Sequence, residues 1–475
     1  MILVTGATGY IGGRLVNALL ERGDKVRCLA RGAGRLRRSG WENIEIVEGD
    51  GLDPAALAAA LHGVTTAFYL IHSMGGPGDF AQRDVELASS FARAAAAARI
   101  ERIVYLGGLG ADNEPLSKHL SSRHVTGEVL RRGATPVIEF RAGMVVGSGS
   151  LSFELLRDMT ERVPIMICPR WVRTRTQPIA IRDVLSYLIA AHDRRLAATE
   201  VYEIGGPDVV SYQDLMLMYA RLRGLKRRMI HVPFLTPRLS SYWVDLVTAV
   251  PASVSRPLID GLRTEMILRD LRASNEFAIR PTTVEEAINL ALARVVNDKV
   301  TTRWSDSFSA LGQSLPPTFT MRQIEGMVLE RRIRRVAKPA GCLFESVTRI
   351  GGDFGWPYAD ALWELRGLWD RVVGGVGMRR GRRSHTDLRV GDPVDFWRVE
   401  AVEPPRLLRL HAEMKVPGSA WLQFEVQPHD DGTCSLEQTA FFEPKGLSGQ
   451  IYWYSIYPLH KLIFTGMIDR IAARA

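Results

Sequence analysis

The sequence predicts an α/β chain in two parts: a doubly wound parallel sheet with a small substrate lobe, then an α+β unit on an antiparallel sheet. Three observations carry this. Strand-like runs at Ile2–Val4, Lys25–Ala30, Ile44–Glu48, Thr66–Ile71 and Arg102–Leu106 alternate with helical patterns, the arrangement of βαβ units. Three glycines, Gly6, Gly9 and Gly12, stand where the first strand meets the first helix. Beyond residue 325 the alternation gives way to strand-like runs parted by Pro and Gly turns, closed by one apolar-periodic helix. The 475 residues suffice for more than one core.

Ile2, Leu3 and Val4 form a short apolar run suited to a strand buried on both faces. Tyr10 to Glu21 read as a helix with Ile11, Leu15, Ala18 and Leu19 on one side. Between them, Gly6 permits a tight bend, Gly9 admits close approach by a pyrophosphate, and Gly12 lets helix and strand pack closely. The helix then offers unpaired N–H groups and the positive end of its dipole to phosphate. In this setting the triplet reads as a dinucleotide site. A sharp turn that packs a helix and binds nothing is the plainer alternative.

The end of the second strand bears on cofactor choice. An acidic residue there bonds the ribose hydroxyls of NAD. Here the strand runs into Arg31-Gly-Ala-Gly-Arg35-Leu-Arg37-Arg38, with no acid at that place. Arg31 is expected to clamp a 2′-phosphate, which makes NADP the expected cofactor and NAD the alternative. A solvated basic loop is the plainer reading. After the third strand, Asp50 stands where its carboxylate accepts the adenine amino group, or else caps the helix that begins near Pro54. The fourth strand ends in His72-Ser73-Met74-Gly75-Gly76, a loop expected over the cofactor. Asp79–Arg99 reads as an alanine-rich helix, and the fifth strand ends in Gly107-Gly108-Leu109-Gly110.

Thr5-Gly-Ala-Thr-Gly-Tyr-Ile-Gly12 resembles the turn of the extended and atypical short-chain dehydrogenase/reductases, and the resemblance implies an NAD(P)-binding Rossmann fold. It continues in Phe140-Arg-Ala-Gly-Met-Val-Val-Gly147. Pro178-Ile-Ala-Ile-Arg-Asp183 and Tyr202-Glu-Ile-Gly-Gly-Pro207 look like substrate-side segments of NmrA-like members. Beside Gly6, Gly9, Gly12, Arg31 and Asp50, the cofactor contacts it implies are Thr8, Tyr10, Ile11, Gly51, Leu52, Ile71, His72, Ser73 and Gly107. Active members place a serine after the fifth strand and a Tyr-x-x-x-Lys pair on the next helix, the tyrosine exchanging a proton with the carbonyl oxygen. This chain departs from that set. Its next helix reads Ser117-Lys-His119-Leu120-Ser121-Ser122-Arg123-His124-Val-Thr-Gly-Glu128. One register puts His119 and Arg123 at the Tyr and Lys places; the other puts Leu120 and His124 there. His119 is the candidate acid and Arg123 the candidate holder of a ribose or phosphate. Ordinary helix chemistry, with a Ser117 cap and a His124–Glu128 pair, is the plainer reading.

In the lobe, residues 151–300, Ser211–Arg223 and Thr283–Val295 read as helices. Met229–Val250 is a proline-interrupted apolar stretch, expected to cover the substrate pocket or an interdomain contact, with peripheral membrane contact as the alternative. Residues 301–325 read as a linker. In 326–475, Arg331–Val336 is expected to open a sheet, and Asp360–Val373 to be helical. Strand-like runs follow at Ser384–Val390, Val394–Val402, Leu407–Lys415, Trp421–Gln427 and Cys434–Glu443, then a helix from about Trp453 to Ala473. This meander and helix resemble the helix-grip fold of START-like and polyketide-cyclase-like domains. Gly355-Trp-Pro-Tyr358, Leu365-Arg-Gly-Leu-Trp-Asp370, Asp395-Phe-Trp-Arg-Val-Glu400 and Tyr452-Trp-Tyr454 further resemble a bacterial domain of unknown function found behind NmrA-like domains. The resemblance implies a hydrophobic ligand between sheet and helix, lined by Trp363, Trp369, Trp397, Trp421, Phe424, Phe441, Trp453 and Phe464; a packed aromatic core is the alternative.

A net charge of +9 suits an anionic cofactor, but the basic residues are interspersed and carry no nucleic-acid fold signature, so nucleic acid is not expected. Four scattered cysteines, none in a Cys-x-x-Cys pair, fit buried thiols in a reducing cytoplasm, and no metal site is expected. The first strand starts at Met1, so no leader is expected, and no run reaches the ~18 apolar residues of a transmembrane helix. The expected function is NADPH-dependent reduction of a hydrophobic carbonyl or quinone, with the second domain binding or delivering the substrate. The alternatives are a non-catalytic NADP sensor or assembly factor and an epimerase-like enzyme that retains NAD.

Overall fold

The computed structural model describes residues 1–32, 36, 41, 43–72, 80–110, 117–194, 196, 198–231, 261–262, 264–297, 319–324, 326–372, 376–377, 388–429 and 431–474. The chain divides into two compact units. The first comprises Met1–Thr160 and Pro164–Gln313, the second Ser314–Ala475 with Glu161–Val163.

The first unit opens with β1 (Ile2–Thr5), α1 (Tyr10–Glu21), β2 (Val26–Ala30), β3 (Ile44–Glu48), α2 (Pro54–Leu61), β4 (Thr66–Tyr69), α3 (Phe80–Ala98), β5 (Arg102–Gly108), α4 (Lys118–Arg131) and β6 (Val137–Ala142). Next come β7 (Val145–Val146), α5 (Leu151–Arg162), β8 (Ile165–Cys168), β9 (Arg175–Thr176), β10 (Ile179–Ala180), α6 (Ile181–Asp193) and β11 (Glu200–Ile204). It continues with β12 (Val210–Ser211), α7 (Tyr212–Leu222), β13 (Arg228–His231), α8 (Arg272–Glu276) and α9 (Val284–Asn297). Seven strands make one sheet in the order β11-β6-β5-β4-β1-β2-β3, and every pairing is parallel. Neighbouring residues of β1 serve opposite faces. Leu3 packs with Leu57, Phe91 and Leu130, whereas Val4 packs with Leu15, Tyr187 and Leu188. Helices therefore cover both faces, as a continuous apolar strand requires. The strand order reverses between β1 and β4, which opens a crevice at their carboxyl ends.

Three small two-stranded pairings, β7 with β10, β9 with β12 and β8 with β13, organise the lobe. α7 begins with a reciprocal cap: Ser211 Oγ accepts from Asp214 N at 3.1 Å, and Asp214 accepts from Ser211 N at 3.0 Å. Of the apolar stretch Met229–Val250, residues 232–250 lie outside the described residues.

The second unit holds β14 (Phe319–Ile324), β15 (Met327–Val336), α10 (Ala340–Thr348), α11 (Asp360–Val372), β16 (Pro393–Val394), β17 (Trp397–Glu403), β18 (Leu407–Ala412), β19 (Gly418–Pro428), β20 (Cys434–Pro444) and α12 (Gly446–Arg474). Its sheet is antiparallel throughout, in the order β14-β15-β20-β19-β18-β17-β16. α12 packs against β15 and β20.

Several expectations need correction here. β14 occupies the end of the stretch expected to be linker, because pairing with β15 satisfies its backbone. The run expected at Val394–Val402 is a hairpin instead: Asp395, at φ +56°, turns the chain between β16 and β17. Residues 388–390 are not strand, and 378–387 lie outside the described residues. α12 starts at Gly446, ahead of the expected Trp453, and runs through Pro458. Trp363, Trp397, Phe424, Trp453 and Phe464 join one packed core, but Trp369 is 62% exposed and lines nothing. All four cysteines are free, and Cys342 is exposed rather than buried. Among the described residues, no helix is long and apolar enough to cross a membrane.

Candidate functional site

The glycine turn lies at the β1–β4 crevice. Thr5 Oγ1 donates to the Phe68 carbonyl at 3.0 Å and accepts from Leu70 N at 3.2 Å, which ties the two strand ends together. Gly6 has φ +70°, and a Cβ there would lie 2.4 Å from the Leu70 carbonyl oxygen. A Cβ on Gly12 would lie 2.3 Å from the Gly6 carbonyl oxygen, and one on Gly9 3.1 Å from the same atom. Gly6 and Gly12 are thus closed to any side chain by backbone, whereas one at Gly9 would need the Gly6 carbonyl to give by a few tenths of an ångström. α1 starts from Gly9 with no side-chain cap and no acid in its first turn, so its leading amides are left for an anion. Thr8 and Gly9 are exposed; Tyr10 and Ile11 are half-buried. This is a cradle that fits a pyrophosphate.

Arg31 is exposed directly after β2. Asp50 does not cap α2: its Oδ1 accepts from Leu52 N at 3.0 Å, and its Oδ2 lies 3.5 Å from Arg83. Asp53 is the cap, accepting from Ala55 N at 2.9 Å, since it alone stands immediately before Pro54. A Cβ on Gly51 would lie 2.9 Å from Leu87 Cδ2, so Gly51 backs onto α3 beside the exposed Leu52. Arg83 was not anticipated, because it belongs to a helix remote in sequence.

Ile71 and His72 follow β4; Ser73 lies outside the described residues. His72 Nδ1 is 3.2 Å from Asp84 Oδ2, an oxygen that also accepts from Ser122 Oγ at 3.2 Å. The rings of His72 and His119 are 4.9 Å apart. Burial lowers the pKa of His72. Burial, then the neighbouring His72 and Arg123, push His119 down to about 3. Both imidazoles are neutral at pH 7. His72 Nε2 and His119 Nδ1 are buried without a partner. Arg123 donates to the Leu106 carbonyl and lies 5.1 Å from the Tyr105 ring centre.

His119 and Arg123 are one turn apart on α4 and line the same cleft, with about 870 Å³ of free space, its open mouth included. Leu120 lies between them; His124 instead approaches the Gly108 carbonyl at 3.0 Å. Ser117 caps α4, and Glu128 pairs with Arg132. Met144, Leu155, Leu156, Met159, Met216 and Met266 make the cleft apolar, and Gly108 borders it. Gly107 sits elsewhere, against the buried Glu139 that pairs with Arg131 and Arg141. Sequence reasoning missed Trp171 and Tyr212, which also line the cleft, and Asp84 behind His72. The Trp171 indole N–H is buried without a partner. No local pattern marks these residues; packing of the lobe assembles them. Among the described residues no cluster suited to a metal occurs.

Residues 6–135 match the family model described as NAD(P)H-binding, and residues 328–467 match one described as a protein of unknown function (DUF2867). The chain is 26% identical over 231 residues to a (4-alkanoyl-5-oxo-2,5-dihydrofuran-3-yl)methyl phosphate reductase of Streptomyces griseus, covering 47% of this chain and 74% of that protein. It is 24% identical over 238 residues to the Photosystem II assembly factor Ycf39 of Cyanophora paradoxa, covering 49% and 71%. Among solved structures, it resembles Citrobacter sp. triphenylmethane reductase complexed with NADP(H), at 17% identity and a TM-score of 0.51, covering 61% of this chain and 100% of that one. That likeness is one of fold. The N-terminal part is an NAD(P)H-binding Rossmann domain.

Proposed function

We propose that the first unit is an NADPH-dependent oxidoreductase acting on a hydrophobic carbonyl or quinone. The observation that carries this reading is the apolar cleft with His119 and Arg123 on its wall, in the same unit as the glycine cradle. The similarity to a Streptomyces griseus reductase supports it. Arg31 meets the 2′-phosphate, and Asp50 meets the adenine. Bound NADPH supplies hydride. His119, entering neutral, donates a hydrogen bond to the carbonyl oxygen, as a neutral imidazole can in a dry site. The Arg123 guanidinium stabilises negative charge growing on that oxygen. Water at the open mouth of the cleft supplies the proton that completes the alcohol, and His72, held by Asp84, packs beside His119 and fixes its ring. The Met-rich wall adapts to flexible apolar substrates. Steady NADPH oxidation with a panel of quinones and aldehydes tests the reading; tight NADPH binding with no turnover on any of them counts against it.

A second reading is a non-catalytic NADP sensor or assembly factor. It is supported by the absence of tyrosine from both registers of α4 and by the similarity to an assembly factor. A protein that co-purifies and is released by NADPH, without turnover, favours it. For the second unit, the antiparallel sheet packed by the long α12 supports the helix-grip, START-like reading.

A further inference from the structure

We propose that the second unit docks on an anionic membrane surface through the outward faces of α11 and α12. This surface is independent of the cofactor and of the reaction proposed for the first unit.

α11 turns an apolar side outward. Leu365, Leu368, Trp369 and Val372 recur at i, i+3, i+4 and i+7, the spacing of a helix face made to be covered. All four are more than half exposed. The inward side carries Trp363, whose ring stacks 4.5 Å from that of Trp356, and Asp370, which is 0% exposed. Asp370 holds this orientation, because its two oxygens accept from Gly377 N at 2.9 Å and Lys415 N at 2.7 Å. The first half of α12 repeats the pattern. Leu447, Ile451, Tyr454, Pro458 and Leu462 share one exposed side, with Leu459 at its edge, while Trp453, Ile463 and Phe464 pack inward. Trp363 and Phe464 join one core on one face of the sheet, so the outer sides of both helices turn away from it. Nine of the twenty exposed large apolar side chains among the described residues stand on these two helices, which makes a patch of them rather than a scatter.

Charge selects the occupant. Between Leu365 and Arg383 the sequence carries six arginines and one acid, the buried Asp370. From Pro444 to Ile468 it carries Lys445 and Lys461, both exposed, and no acid at all. Asp360 and Glu364 are confined to the N-terminal end of α11, where they suit the helix dipole. A second copy of the chain is a poor partner: a two-fold contact would set these cations against themselves with no carboxylate to pair them. An anionic bilayer offers phosphate to the arginines and lysines and hydrocarbon to the leucines and Val372, and the two attractions together anchor where either alone is weak. Trp369 and Tyr454 are the ring types that settle at headgroup level. Neither helix is long and apolar enough to cross the bilayer, so the contact lies along its surface.

The test is flotation of the full chain with vesicles of phosphatidylcholine alone and of phosphatidylcholine and phosphatidylglycerol in equal parts. The expected result is binding to the anionic vesicles at low salt, about tenfold weaker on the neutral ones and weakened again by high salt. Leu368→Ser with Trp369→Ser, and separately Ile451→Ser with Leu462→Ser, should each weaken binding by about tenfold or more. Both double variants should melt close to the wild type, because the four side chains face solvent. Equal binding to both kinds of vesicle, no binding to either, or unchanged binding by both double variants overturns the proposal. So does sedimentation of the wild type as a dimer that both double variants convert to a monomer, which would give the patch to a second copy.

Discussion

Gly12 leaves no space for even a methyl group, since its Cβ would fall 2.3 Å from the Gly6 carbonyl oxygen. Gly12→Ala is therefore expected to push α1 off β1, to cost about 1–3 kcal/mol of stability, and to abolish NADPH binding. Urea melts and a fluorescence titration with NADPH read the two effects. Arg31→Glu acts on charge alone, because Arg31 is exposed at the end of β2. NADPH affinity should fall about tenfold or more, with NADH little changed; an equal loss for both cofactors removes the clamp. His119→Phe should lower kcat by about 10²–10⁴-fold if it polarises the substrate oxygen. The same residue has a stability signature. Its pKa drops from 6.5 to about 3 on folding, so the unfolded chain takes up a proton that the fold refuses. Its contribution is intact above pH 6.5 and falls by about 1.4 kcal/mol per pH unit as pH drops toward 3. Urea unfolding at pH 7, 6 and 5 should show a shallower acid limb in His119→Gln. The tight turn at Gly6 and Gly12 was readable because a strand–turn–helix junction is local in sequence. Asp84 and Trp171 were not, because they meet His72 and the cleft only through folding.

At the scale of elements, strand and helix types followed from periodicity, and their ends followed from chemistry that periodicity does not report. Ser117 and Ser211 cap α4 and α7 as short polar residues should. Asp53 rather than Asp50 caps α2, a choice made by adjacency to Pro54. β14 was hidden because an edge strand needs its partner β15 to be recognised. In α12, Gly446 and Gly449 obscured the first turns, and the helix persists through Pro458 because Trp453, Ile463 and Phe464 pack into the core. On β15, Glu330 and Arg332 form a pair that is 0% and 2% exposed. Arg332→Ala should destabilise the second unit by about 3–5 kcal/mol, since it strands a buried carboxylate. Arg332→Met with Glu330→Gln should recover most of that loss in thermal melts.

At the scale of the molecule, each unit owns a separate core: helices on both faces of a parallel sheet in one, an antiparallel sheet under α12 in the other. Calorimetry should therefore resolve two transitions. NADPH at 100 times its Kd should stabilise the first unit by about 2.7 kcal/mol and leave the second where it was. A shift of both transitions would mean that the units unfold together.

The chain by itself determined the order of strands and helices in the first unit, the glycine cradle and the change to an antiparallel sheet after it. Each of these depends on neighbours a few residues apart. Tertiary structure alone decided which polar groups meet. The pairing of His72 with Asp84, the approach of His119 to the apolar cleft, and the hold of Arg332 on Thr465 join residues distant in sequence. Their chemistry arises from desolvation and contact, which exist only once the chain has closed around them.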